Sequence, residues 1–363
     1  MDIANYVNMK FMRLTNRSAY LVLLLICLYG CDKTSKNQLL VFKETRQATI
    51  EICSTPLSLN TYKDLWVVDS LYLVVGFDKQ SEKYLHVFDR KSGQYINSFV
   101  DRGRSGNEIM SVSETWLSGD KLYIWDGVQK SLFACDLTGI DKQGILSLSE
   151  CLINSPDDYK YPHVLFNGSH AIMLGNASFL ENAPINNYPR LSVENYETGE
   201  LSSLNTYPVE DRFKTWWMYT QPAFATREDF TKFVVLSNAY YGCILEIYDV
   251  TSGIIHCERT LTLVPPAFEG KANGVIPDQE LCLGAIDAVC TDNYIIVAYD
   301  GETKVSDKET APSFNKILWF DWEGNPVRRV NIDKSIVCLS TSNEDLYALV
   351  RKADGDVEIA KII

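Results

Sequence analysis

The four histidines of this chain, His86, His163, His170 and His256, show neither HxH nor HExxH spacing, so no pair of them reads as a metal clamp. No Gly-x-Ser-x-Gly elbow occurs to raise a nucleophilic serine, and no glycine-rich phosphate loop is present. Three groups of residues could still do chemistry. Trp216, Trp217 and Tyr219 bracket Met218 and offer flat aromatic surface suited to stacking on a sugar or a peptide. The same rings could instead plug an apolar end of the fold. Arg102, Arg104 and Glu108 stand in a glycine-containing stretch where a guanidinium fork would take a carboxylate, or where the charges would pair with one another. Asp300, Glu302, Asp307 and Glu309 carry calcium-type oxygens but lack the ordered spacing of a calcium loop, which favours solvated charge. Catalytic residues, a bound metal and a cofactor are therefore not expected. The ligand-binding candidates are Trp216, Trp217, Tyr219, Arg102, Arg104 and Glu108.

Whatever positions these residues is built from repeats. Apolar and aromatic runs begin at Leu71, Leu122, Ala171, Phe233, Tyr294 and Leu346, at intervals of 51, 49, 62, 61 and 52 residues. Each of the first five is followed by a second stretch that closes on a turn cluster ending in glycine, at Gly93, Gly139, Gly199, Gly253 and Gly324. Period-two alternation, as in Leu85 and Val87 against His86 and Phe88, marks strands rather than helices. Another strand precedes each run (64–68, 113–117, 161–166, 286–290 and 336–340, with a weak copy near Phe224), and a fourth follows each glycine turn. Four strands in each of six repeats predict an all-β, six-bladed β-propeller. The sixth repeat ends one strand short at Ile363. Segment 38–52 has no repeat of its own, so it is expected to supply the missing outer strand and close the ring, hiding an open sheet edge.

The first 30 residues stand apart. Lys10, Arg13 and Arg17 precede an apolar stretch, 19–30, too short to span a bilayer. It ends in Leu28-Tyr29-Gly30-Cys31, which resembles a bacterial lipobox, with Cys31 as the lipidated residue. The expected organisation is a signal peptide over 1–30, a short tether over 31–37 and the propeller over 38–363, held at the cell envelope through lipid on Cys31. The formal charge of −13 becomes −15 on loss of residues 1–30, which carry Lys10, Arg13 and Arg17 against Asp2. So acidic a chain is a poor partner for nucleic acid. The remaining cysteines form no CxxC pair, and most fall in apolar strand patterns as small buried hydrophobes. Cys243 and Cys257, on neighbouring strands of one hairpin, are the best candidates for a disulfide.

On blade pattern and lipobox the chain resembles the TolB-like six-bladed propeller lipoproteins of Bacteroidota, over most of 38–363. The sharpest local feature is Asp101 to Glu108, where Asn107 separates Gly106 from Glu108 in a loop of the G-x-G-x-G-E kind. The resemblance implies fold and location rather than activity. Six-bladed relatives of the gluconolactonase type use carboxylate and Asn ligands around one channel metal, and Asp69, Asp126 and Asp287 would be so arranged only by coincidence of fold. Turns inside the blades are short on one face, while long segments (101–109, 138–160, 176–189, 207–228, 263–283 and 300–315) are assigned to the other. That long-loop face is where a protein, peptide or glycan is expected to bind without being transformed. A metal-dependent hydrolase or lactonase with its site in the channel is the alternative.

Overall fold

The computed structural model describes residues 40–138, 140, 146–151, 163–175, 189–206, 222–250, 254–271, 274–307 and 312–363. Six four-stranded antiparallel sheets are arranged as the blades of a ring, with innermost strands Thr61–Val68, Val112–Ser118, His163–Phe166, Ala223–Thr226, Ala285–Cys290 and Ser335–Ser342. These are the strands expected before each apolar run, including the weak fourth copy.

Strand periodicity explains why the second strand of each blade is apolar throughout. In Leu71–Asp78, the side chains of Leu71, Leu73 and Val75 enter the cleft toward blade 2, and those of Tyr72 and Val74 enter the cleft toward blade 6. Leu122 and Ile124 of blade 2 share the first of these clefts, while Tyr123 and Trp125 pack against blade 3. Among the described residues six hydrophobic clusters result, one in each cleft between neighbouring blades. A blade buried on both faces needs an unbroken apolar strand, which is what distinguishes these runs from ordinary half-buried strands.

The third strands of blades 1 to 4 end on Asp or Asn, and in blades 1 and 3 these side chains fold back on the turn. Asp89 Oδ1 accepts the amide of Ser92 at 2.6 Å, and Asn195 Oδ1 accepts those of Glu197 and Thr198 at 2.9 and 3.1 Å. Gly93 follows at φ +67°, and a Cβ there would lie 2.3 Å from the carbonyl oxygen of Cys53. Only glycine admits this approach of the closing segment.

Closure occurs as expected, and adds a feature that the repeat count does not foretell. Ile50–Ile52 pairs antiparallel with Val357–Ile362 as the outer strand of blade 6. Just before it, Glu44–Gln47 runs parallel to Pro326–Asn331, giving blade 5 a fifth strand. One segment thus staples the last two blades. It continues to blade 1, where the Thr55 amide donates to the Gly93 carbonyl at 2.9 Å.

Two expectations need correction. Cys243 and Cys257 do not pair: Cys243 is level with Val264 and Cys257 with Tyr248, toward opposite ends of their hairpin. All eight cysteines among the described residues are free, with Cys135, Cys243 and Cys338 buried and Cys257 exposed. Segment 138–160 is not one long loop either, because Ser147–Cys151 forms the outer strand of blade 2. Segment 263–283 likewise holds a small hairpin, Phe268–Lys271 with Gly274–Pro277.

Candidate functional site: the central channel

The six innermost strands surround a cavity of about 1190 Å³. Four of them carry a bulge in their first half, leaving Lys63, Ser113, Ile286 and Val337 without a cross-strand partner. A bulge re-aims the side chains around it. Here it lets consecutive residues, Lys63 with Asp64 and Ile286 with Asp287, line the same cavity. Three of the four bulged residues are followed by a carboxylate: Asp64, Glu114 and Asp287.

The carboxylates of blades 1 and 2 are tied into one network. Lys63 Nζ donates to Glu114 Oε2 at 3.1 Å, and His163 Nδ1 lies 2.5 Å from Glu114 Oε1, so Glu114 joins blades 1, 2 and 3. Thr115 Oγ1 donates to Asp64 Oδ2 at 2.6 Å and accepts the indole N–H of Trp66 at 2.7 Å. Trp66 meets Trp116 edge to face at 5.6 Å, and Trp116 meets Phe230 of blade 4 at 5.2 Å.

Charge states follow from this packing. Burial alone would raise the pKa of Glu114, but Lys63 and the His163 hydrogen bond reverse it and hold the group below the usual carboxylate range. Its carboxylate can only accept, so Nδ1 of His163 carries the proton between them. For Lys63, burial opposes the charge, and Glu114 and Asp64 outweigh it, leaving the ammonium more firmly protonated than usual. Asp64 is raised, chiefly by burial, against the pull of Lys63 and the Thr115 hydroxyl. Asp287 is pushed up to about 7 by burial, opposed by the Leu339 amide and reinforced by Asp64. That amide donates to Asp287 Oδ2 at 2.7 Å, which seats the carboxyl between blades 5 and 6.

The hydrogen-bonded network of Lys63, Asp64, Glu114, Thr115 and His163 occupies blades 1 to 3, while blades 4 to 6 bring the apolar Ala223, Ile286, Val289 and Val337 together with polar residues such as Asp287, Asn238, Ser340 and Thr341. Ile286 is 42% exposed although it is a large aliphatic residue, because it faces the cavity.

Of the residues singled out in the sequence, Asp69 and Asp287 line the channel. Trp216, Trp217, Tyr219 and Cys31 fall outside the described residues. Arg102, Arg104 and Glu108 sit in an ordered loop away from the channel. The Arg102 guanidinium lies over the Phe77 ring at 5.0 Å, and Glu108 Oε2 accepts the Ser105 amide at 3.0 Å, turned into its own loop. Asp69, Asp126 and Asp287 are not brought together. Asp69 is in the turn that follows the first strand of blade 1, and buried Asp126 anchors the amides of Met110, Val128 and Gln129. Asp300 is buried and accepts the amides of Glu302, Thr303 and Ser313, which makes it a loop organiser. Among the described residues no group of three or more His, Cys, Asp or Glu side chains is placed to hold a metal ion.

The model of the TolB-like 6-blade propeller-like family matches residues 42–344. The chain belongs to this family. Among solved structures, this TolB-like chain is similar to a DUF4221-family member from Bacteroides vulgatus, at 11% identity and TM-score 0.51 over 86% of this chain and 98% of that one. It is also similar to a gluconolactonase from Xanthomonas campestris, at 9% identity and TM-score 0.50 over 87% and 90% of the two chains. At such identities the likeness is one of fold. No curated protein matches.

Proposed function

We propose that this TolB-like propeller is an exported, lipid-anchored binding module that takes its ligand in the central channel and does not transform it. The observation that supports this is a hydrogen-bonded polar arc over blades 1 to 3, combined with the apolar side chains of Ala223, Ile286, Val289 and Val337, in a cavity of about 1190 Å³. Ligand pockets combine mostly apolar walls with a few fixed polar groups, at ~300–1,000 Å³ for small molecules. The test is thermal stabilisation of the intact chain across small peptides, oligosaccharides and polar metabolites, repeated with Ile286→Trp to fill the cavity. Stabilisation lost in Ile286→Trp supports the channel. Stabilisation that survives it and disappears in Trp216→Ala or Trp217→Ala moves the site to the segment before blade 4.

The anchor rests on Leu28-Tyr29-Gly30-Cys31. Cys31→Ser is expected to abolish lipid labelling and free the protein from membrane fractions, and membrane retention without labelled lipid in the parent protein refutes it. A second reading, hydrolysis in the channel, is favoured by one observation: Glu114 orients the His163 imidazole at the cavity wall, as a general base requires. Turnover of an ester or lactone that is lost in His163→Gln would select it.

A further inference from the structure

The polar arc holds more hydrogen-bonding capacity than it uses. The Lys63 ammonium has three donors and its one hydrogen bond among the described residues goes to Glu114. Asp64 accepts Thr115 through Oδ2, and its Oδ1 has no hydrogen bond among the described residues. His163 is engaged through Nδ1, and Nε2 has none among them. Donors and acceptors thus alternate along one wall: ammonium, carboxylate oxygen and imidazole nitrogen.

Charges of both signs stand within the same short distance, the Lys63 ammonium beside the Asp64 and Glu114 carboxylates. A bound anion beside Lys63 would also face Asp64 and Glu114, and a bound cation beside those carboxylates would face Lys63. A charged ligand therefore meets a like charge wherever it approaches the arc. A hydroxyl both donates and accepts, and meets no such opposition. On the opposite arc Ala223, Ile286, Val289 and Val337 offer apolar contact. A ligand that fits both has a hydroxyl-bearing edge and an apolar C–H face. The cavity exceeds what a small monomeric ligand needs.

From this we infer that the channel binds an uncharged oligosaccharide, its hydroxyl edge on Lys63, Asp64 and His163 and its C–H face on the blade 4 to 6 arc. This deepens the channel-binding reading and rests on it.

Isothermal titration of the intact chain tests it, with uncharged gluco-, manno- and xylo-trisaccharides, and with trigalacturonate and spermidine as anionic and cationic probes. At least one uncharged trisaccharide is expected to bind, and neither charged probe. Lys63→Met, which removes a charged donor, should weaken that binding by about tenfold or more, and Ile286→Trp should abolish it. Unchanged thermal unfolding in Ile286→Trp, which alters a cavity-facing side chain, keeps that loss from being one of folding. Binding of trigalacturonate or spermidine that Ile286→Trp abolishes leaves the channel reading standing and overturns the sugar assignment. Sugar binding indifferent to Ile286→Trp overturns the channel itself. No binding by any trisaccharide overturns the inference.

Discussion

Arg190 and Glu246 form a buried bidentate pair between blades 3 and 4, and removing the arginine alone should loosen that seam. Nη1 of Arg190 donates to Glu246 Oε1 at 2.9 Å, to Tyr248 Oη at 3.0 Å and to the Thr206 carbonyl at 3.0 Å, while Nη2 donates to Glu246 Oε2. Tyr248 donates to Glu246 Oε1 at 2.6 Å and stacks on Phe233 at 4.8 Å. The two charged side chains are 1% and 2% exposed, so water cannot replace a lost partner. Arg190→Met takes from the buried Glu246 carboxylate the guanidinium that binds both its oxygens. Breaking a buried pair from one side costs about 3–5 kcal/mol. At roughly 2 °C per kcal/mol for a domain of this size, Tm should fall by roughly 6–10 °C. Combining Arg190→Met, Glu246→Leu and Tyr248→Phe removes every member of the set and should recover most of the loss, since an apolar replacement of similar volume is often neutral. Thermal unfolding by far-UV circular dichroism, with urea midpoints as a second measure, reads both. A drop under about 2 °C in Arg190→Met, or a triple variant no better than the single, refutes the account.

Deleting residues 38–52 should lower stability of the whole ring, because blade 6 loses its outer strand and blade 5 its fifth; melting like that of the full chain would show that closure contributes nothing. Gly93→Val forces a side chain into the Cys53 carbonyl at positive φ and should destabilise by about 1–3 kcal/mol, read as a urea midpoint shift. Asp287 has a folded pKa of about 7 against 3.8 for the free group, so its contribution is fully present below about 3.8 and is lost as pH rises through 7. Relative to Asp287→Asn, the wild type should therefore lose stability between about pH 4 and pH 7, and identical pH profiles would refute the shift. His86 works in the opposite sense: burial lowers its pKa from 6.5, so its contribution is present above 6.5 and lost as pH falls through the lower folded value, a slope that His86→Gln should remove.

The ring was legible because each blade repeats the same physical demand. A strand buried on both faces, followed by an Asx turn and a glycine, leaves a pattern that survives divergence of every other residue. The channel was less legible because its residues lie on the inner strands, where the sequence shows only short half-buried stretches. A signal was present nonetheless. Asp64-Leu65-Trp66 and Glu114-Thr115-Trp116 are the same acidic-x-Trp arrangement at the same place in consecutive blades. Lys63 and His163 carry no such mark, and only the ring brings them to Glu114. The disulfide candidate failed because two cysteines on neighbouring strands are partners only when level, and strand register is invisible without the turn between them.

The charges of the polar arc face the channel. Lys63, Asp64, Glu114 and His163 all line its cavity, whereas Glu246 lies deep against Tyr248 in the cleft between blades 3 and 4. Blade 4 forms its inner strand from Ala223, Phe224, Ala225 and Thr226 with no ionised group at all. Desolvating each charge costs several kcal/mol, so a charged set that faces the channel calls for a task there. The contrast can be measured with one chemical change at two sites. Glu246→Gln should cost about 3–5 kcal/mol, since Arg190 is left buried. Glu114→Gln should cost only about 1–2 kcal/mol, the scale of a weakened charged hydrogen bond, because Lys63 keeps Asp64 nearby and its side chain is 30% exposed to channel water. Ligand affinity should move the other way, falling in Glu114→Gln, which frees Lys63 and His163 from their fixed positions, and holding in Glu246→Gln. Equal losses of stability at both sites, with affinity unchanged in Glu114→Gln, would make the arc a structural brace and remove the argument for a site in the channel.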